Sequence, residues 1–101
     1  MIDAQIPIPY ERIESFCRKW RVTEFALFGS VLTPEFRPDS DVDVLVTFED
    51  GAPWSLWDFG DMREELVEFF GRQVDLVEKK ALRNPFRKQS ILTTRQVVYA
   101  A

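Results

Sequence analysis

The 101 residues carry 13 Lys and Arg against 17 Asp and Glu, a net charge of −4, and are 46% hydrophobic with only 4 Gly and 6 Pro. That composition excludes a disordered or low-complexity chain, and the sign of the charge argues against a surface built to neutralise nucleic-acid phosphates. Cys17 is the only cysteine and histidine is absent, so no internal disulfide is expected and any chemistry must rest on carboxylates.

The length predicts one domain spanning residues 1–101, with no internal repeat or linker. The N-terminal stretch contains Asp3, Pro7 and Pro9 and lacks the charged start and apolar run of a signal peptide. Nothing later approaches the ~20 apolar residues of a membrane span. A cytoplasmic protein with no membrane contact is expected.

In PYERIESFCRKW, Pro9 marks a start, and Ile13, Phe16, Cys17 and Trp20 recur at amphipathic helical spacing. VTEFALFG then gives a continuous apolar run, Phe25 to Phe28, as in a strand covered on both faces, and stops at Gly29. DVDVLVTFED supplies a second strand through Val42, Val44, Leu45, Val46 and Phe48, central or nearly so, closed by the turn over residues 49–53. From Ser55 to Phe70, Leu56, Phe59, Met62, Leu66, Phe69 and Phe70 predict a helix that ends at Gly71, with Gly60 as a weak point. RQVDLVEK reads as a third strand carrying Asp75. Asn84-Pro85 starts one or two helical turns through Ile91, and Val97 to Tyr99 reads as a last strand. Strands alternating with helices mean an α/β domain, a mixed sheet of about four strands flanked by helices, whose strand order the pattern does not give.

The second strand opens on two carboxylates. On a strand, residues two apart project to one face about 6.6 Å apart, so Asp41 and Asp43 would point together while Val42 and Val44 face the core. Were Asp75 on a strand paired beside them, three carboxylates would share one small site. Oxygen donors alone suit magnesium or manganese, and magnesium held by few carboxylates completes its shell with water and substrate phosphates. Gly29-Ser30, ending a strand, would offer N–H groups and a hydroxyl to such phosphates. Each feature has a plainer reading: Gly-Ser as a turn, Asp-X-Asp as a solvated strand end, Asp75 as a surface carboxylate in a salt bridge. Trp54, Trp57, Phe59, Phe69 and Phe70 read as core, with a partner surface as the second reading. Arg37 reads as a loop charge, with a phosphate contact as the second reading.

Taken together, LFGSVLTPEFRPDSDVDVLV resembles the signature of the DNA polymerase beta-like nucleotidyltransferase superfamily: strand, Gly-Ser, ten residues, then Asp-X-Asp opening the next strand. The short length, RPDSDVDVLV, RQVDLV and the C-terminal ALRNPFRKQSILTTRQVVYA narrow the resemblance to the minimal nucleotidyltransferases, antitoxin partners of HEPN-domain ribonuclease toxins. The resemblance implies that Asp41, Asp43 and Asp75 bind two magnesium ions and act as the catalytic residues, and that Gly29, Ser30 and Arg37 receive the ATP phosphates. It implies transfer of AMP from ATP to a tyrosine of the toxin, which silences it, within a hetero-oligomer and without direct nucleic-acid contact. One departure stands out. Such proteins usually carry Arg-Ala-Arg-Gly after Gly-Ser, whereas this chain has Val31-Leu32-Thr33-Pro34, two positive charges and a glycine fewer. That favours a rival reading, an antitoxin of the same fold that neutralises its toxin by binding alone. A third, transfer to a small molecule such as an aminoglycoside, lacks the added helical domain such enzymes usually carry.

Overall fold

The computed structural model describes residues 4–101; Asp3, part of the N-terminal reading above, lies outside the described residues. The chain runs α1 (Tyr10–Trp20), β1 (Val22–Phe28), a 3-10 turn (Gly29–Leu32), β2 (Val42–Phe48), α2 (Leu56–Phe70), β3 (Val74–Glu78), a second 3-10 turn (Lys79–Ala81), α3 (Pro85–Thr94) and β4 (Gln96–Ala100). The strands form one mixed sheet in the order β3-β2-β1-β4. The β1 strand is antiparallel to β2 and β4, and β2 is parallel to β3. A parallel pair needs a crossover, and α2 supplies it.

Local chemistry sets the helix ends. Ser55 and Asp58 form a capping box at α2, Ser55 N–H donating to Asp58 Oδ2 at 3.0 Å and Asp58 N–H to Ser55 Oγ at 3.2 Å, and Gly71 closes the helix in the left-handed conformation. Asn84 Oδ1 accepts from the N–H groups of Phe86 (3.0 Å) and Arg87 (3.1 Å) ahead of Pro85 at the first helical position. The α3 helix outlasts the expected stop at Ile91 and reaches Thr94. Its threonines turn their hydroxyls back onto the helix, Thr93 Oγ1 to Gln89 O at 2.9 Å and Thr94 Oγ1 to Ser90 O at 2.7 Å, so residues of low helix propensity still extend it.

Alternation along the strands sorts the core into two layers. Val42, Val44, Val46, Val74 and Leu76 face α1 and α2, where they meet Ile13, Phe16, Met62 and Leu66. Ala26, Phe28 and Leu45 face α3, where they meet Leu82 and Ile91, with Val77 packed against them. Of the five aromatics read as core, Trp54, Phe59, Phe69 and Phe70 pack partly buried against the first layer, and Trp54 Nε1 donates to the Trp20 carbonyl at 2.8 Å. Trp57 is a correction: it is 86% exposed, as is Leu56 at 88%. Leu56 continues the apolar stripe three residues before Phe59, but both residues sit in the first turn of α2, where no element covers them. Among the described residues no helix is long and apolar enough to cross a membrane.

Candidate active site

The alternation that buries Val42 and Val44 puts Asp43 on the α3 face, on the same side as Leu45. In β3 the same alternation sends Asp75 to that side, between buried Val74 and Leu76. The parallel register sets Asp43 opposite Asp75, so the carboxylate from the later strand does stand beside the earlier one. Asp41 departs from expectation. The β2 strand begins at Val42, whose N–H donates to the Gln73 carbonyl at 3.0 Å, and Asp41 is an exposed residue just ahead of it. It therefore lacks the fixed strand geometry that would aim it with Asp43.

Its charge is nonetheless felt. Burial pushes the Asp43 carboxyl up to about 6, helped by the charges of Asp75 and then Asp41 and by a side-chain hydrogen bond with Asp75, while the Arg87 guanidinium pulls the other way. Across the sheet Asp43 lies opposite Phe28, and Gly29 follows at once with φ +76°. A Cβ built on Gly29 would lie 2.2 Å from Asp43 Oδ2. The glycine thus has a nearer reason than an approaching phosphate: any side chain there would displace this carboxylate and strain the left-handed backbone. Ser30 follows in the 3-10 turn, half-buried, its carbonyl accepting from the N–H and the hydroxyl of Thr33, both at 2.9 Å.

Arg37 stands as the loop charge of its first reading. Arg37 is exposed in the β1–β2 connection, and its hydrogen bonds run through its backbone, the N–H to Ser40 Oγ at 3.0 Å and the carbonyl from Arg72 Nη1 at 3.2 Å. The positive charge acting on Asp43 is Arg87, which the sequence reading did not single out. A signal existed: Arg87 lies four residues before buried Ile91 and so shares its sheet-facing side of α3. Val31, where the usual motif has its first arginine, is 0% exposed within the first core layer. A cavity of about 350 Å³ opens beside the turn, lined by Gly29, Leu32, Thr33, Thr94 and Gln96.

Among the described residues no group of three carboxylates is drawn together tightly enough to hold a metal ion by itself. A closed protein cage is therefore absent there. The donor set still fits a hard cation: oxygen ligands only, two of them paired across adjacent strands, and one carboxyl raised by burial and then by the negative charges around it, the second of which a divalent ion would relieve. Magnesium in particular takes one or two carboxylates and leaves its other positions to water and phosphate.

A model of the nucleotidyltransferase domain family matches residues 10–98. The protein adenylyltransferase MntA of Thermococcus cleftensis is 41% identical over 81 residues, covering 80% of this chain and 77% of its own. Among solved structures, a toxin-antitoxin crystallised with AMP-PNP superposes with a TM-score of 0.75 at 19% identity, over 93% of this chain and 75% of that one. A complex of a tri-AMPylated Shewanella oneidensis HEPN toxin with an MNT antitoxin gives 0.66 at 19% identity, over 91% and 70%. At such identity these two structures bear on the fold alone.

Proposed function

This chain belongs to the nucleotidyltransferase domain family and is a nucleotidyltransferase of minimal, antitoxin-like architecture, and from that premise we propose that it transfers AMP from ATP to a tyrosine hydroxyl of a HEPN-domain ribonuclease toxin and so neutralises it. The observation that carries the proposal is the Asp43–Asp75 pair, two carboxylates fixed opposite one another on adjacent strands beside a glycine turn. The adenylyltransferase name of the Thermococcus relative supports the reaction class and, with it, an adenosine nucleotide as co-substrate.

In the proposed reaction Asp41, Asp43 and Asp75 would hold two magnesium ions, which when bound neutralise the triphosphate and ease ionisation of the acceptor hydroxyl. Gly29 and Ser30 present the 3-10 turn to the phosphates, its left-handed start keeping the space beside Asp43 free of any side chain. Asp75, the more exposed of the paired carboxylates, accepts the proton of the acceptor, whose phenol has a pKa near 10 and needs a base at neutral pH. Arg87, rather than Arg37, is placed to balance the negative charge that gathers on this face. The test is intact-mass analysis of the cognate HEPN-domain protein after incubation with this chain, ATP and magnesium. Mass increments of AMP, absent with Asp41→Asn/Asp43→Asn, are the expected result.

One observation favours the second reading, neutralisation by binding alone: Val31 is buried where the family usually places an arginine, so the turn offers the triphosphate no cation of its own. An unmodified toxin held in a stable complex would support that reading.

A further inference from the structure

Among the described residues the β3 strand is an edge strand, paired with β2 and with no other strand. Because Val42 N–H bonds the Gln73 carbonyl, Gln73, Asp75 and Val77 turn their backbone groups to β2, and Val74, Leu76 and Glu78 turn theirs outward. Arg63 Nε donates to the Val74 carbonyl at 3.1 Å, which fits that parity and closes the edge at its first residue. Beyond Val74 the edge opens into a groove of about 460 Å³. Leu56 and Phe59 of α2 form one wall, Leu82 and Arg87 the other, and Leu76 to Glu78 the floor. Three of the large apolar side chains most exposed among the described residues belong to the helix starts that frame it: Leu56 (88%), Trp57 (86%) and Phe86 (84%).

An open strand edge asks for an extended backbone, and apolar walls ask for apolar side chains. We propose that this groove receives an extended segment of the acceptor protein, which adds to the free edge of β3 at Leu76 and Glu78 and places its hydroxyl-bearing residue opposite Asp75. The inference rests on the reading of the site as a protein-modifying transferase and says how the acceptor reaches it. Residues directly opposite in neighbouring strands project to the same face about 5 Å apart, so a side chain opposite Asp75 emerges on the α3 face with the carboxylates. The occupant is a protein segment because that face already has another opening for the nucleotide: the cavity lined by Gly29, Thr33 and Gln96, on the far side of Asp43. Donor and acceptor then approach the Asp43–Asp75 pair along the same face from opposite edges of the sheet. The acceptor oxygen forms its bond to the α-phosphorus of ATP, the bond from that phosphorus to the β-phosphate oxygen breaks, and pyrophosphate leaves with the electron pair. The hydroxyl proton passes to Asp75.

The test uses the full chain, the cognate HEPN-domain protein, ATP and magnesium. Leu56→Asp and Phe86→Asp alter exposed side chains, so both variants should fold. Each should raise the acceptor concentration for half-maximal AMP transfer by about tenfold or more, leave magnesium-ATP binding unchanged, and weaken the complex. Val97→Asp, on the opposite edge strand β4, should leave the acceptor concentration, magnesium-ATP binding and the complex unchanged. Amide exchange at Leu76 and Glu78 should slow when the HEPN protein is added. Loss of ATP binding in the Leu56 or Phe86 variants would assign the groove to the nucleotide and overturn the inference. So would a complex that leaves these amides unprotected, that depends on Val97 instead, or that fails to form. A complex that protects the β3 edge but transfers no AMP would overturn the functional reading while upholding the docking site.

Discussion

Replacing Gly29 by alanine tests whether the glycine turn exists to seat a carboxylate. Two costs are separable. A left-handed φ of +76° strains any L-residue by about 1–2 kcal/mol, and Gly51, at φ +79° with nothing within 4 Å of where a Cβ would stand, bears that cost alone when changed to alanine. At Gly29 the new methyl would also lie 2.2 Å from Asp43 Oδ2 and 3.2 Å from its Cγ, whereas Asp43 Cβ, at 3.5 Å, is in ordinary contact. Relief must come from rotating the Asp43 carboxylate off its rotamer and away from Asp75, about 1 kcal/mol more. Gly29→Ala should therefore melt about 4–8 °C below Gly51→Ala in a domain of this size. In an Asp43→Ala background the two glycine substitutions should cost the same. Thermal melts of the four variants decide it. Equal melting temperatures for the two single variants, or an excess that persists without the Asp43 carboxylate, would refute the reasoning.

Other outcomes follow from the same geometry. Asp43, raised from 3.8 to about 6, holds its proton more tightly folded than unfolded, so metal-free stability should fall as pH rises through that window. Asp43→Asn should then gain on the wild type by about 1 kcal/mol at pH 7.5, after discounting for partial exposure, and gain nothing at pH 4, read by melts in chelator. Val31→Arg, which restores the usual motif residue, should lower stability by about 3 kcal/mol or more, because it places an unpaired charge in a fully buried position; urea titration followed by circular dichroism reports it. Arg87→Ala removes an exposed cation from the carboxylate face and should weaken magnesium-ATP binding about tenfold with little change in melting temperature, measured by calorimetry. Ser55→Ala breaks the α2 capping box and should lower stability by about 1 kcal/mol, read by urea titration.

What was legible in the sequence were features with a local cause. Pro9, Gly71 and Asn84-Pro85 carry their own backbone constraints, and all three mark helix ends in the structure. The continuous run from Phe25 to Phe28 is what a strand buried on both faces shows, and all four residues are buried in β1. The resemblance carried by Gly29, Ser30, Asp41 and Asp43 led to the right family because the spacing is a property of the chain. Strand order was not legible, since pairing depends on which strands meet after collapse and not on any one segment. The basic side of the site was lost for the same reason. Arg37 is near the carboxylates in sequence, whereas Arg87 reaches their face because α3 packs on that side of the sheet. Trp57 misled because composition marks an aromatic as core, while burial depends on whether an element lies over it.

The fold and the site are set by one alternation. Val42, Val44 and Val46 turn to α1 and α2, where the larger core layer lies; Asp43 and Leu45 turn to α3, where the layer is thinner. A slip of β2 by one residue would drive Asp43 into the larger core and leave Val42 and Val44 on the other face, so the burial that fixes the register also fixes where the carboxylates stand. Electrostatics alone would not gather them: burial and neighbouring charge both oppose ionisation of Asp43. The opposing cost is held by apolar packing on the far side of the same strand, where Val42, Val44 and Val46 are each 0% exposed. Carboxylate variants at Asp43 and Asp75 should consequently keep their fold while losing metal and nucleotide. A variant that shortens Val44 should lose both together, because it weakens the register that places the pair.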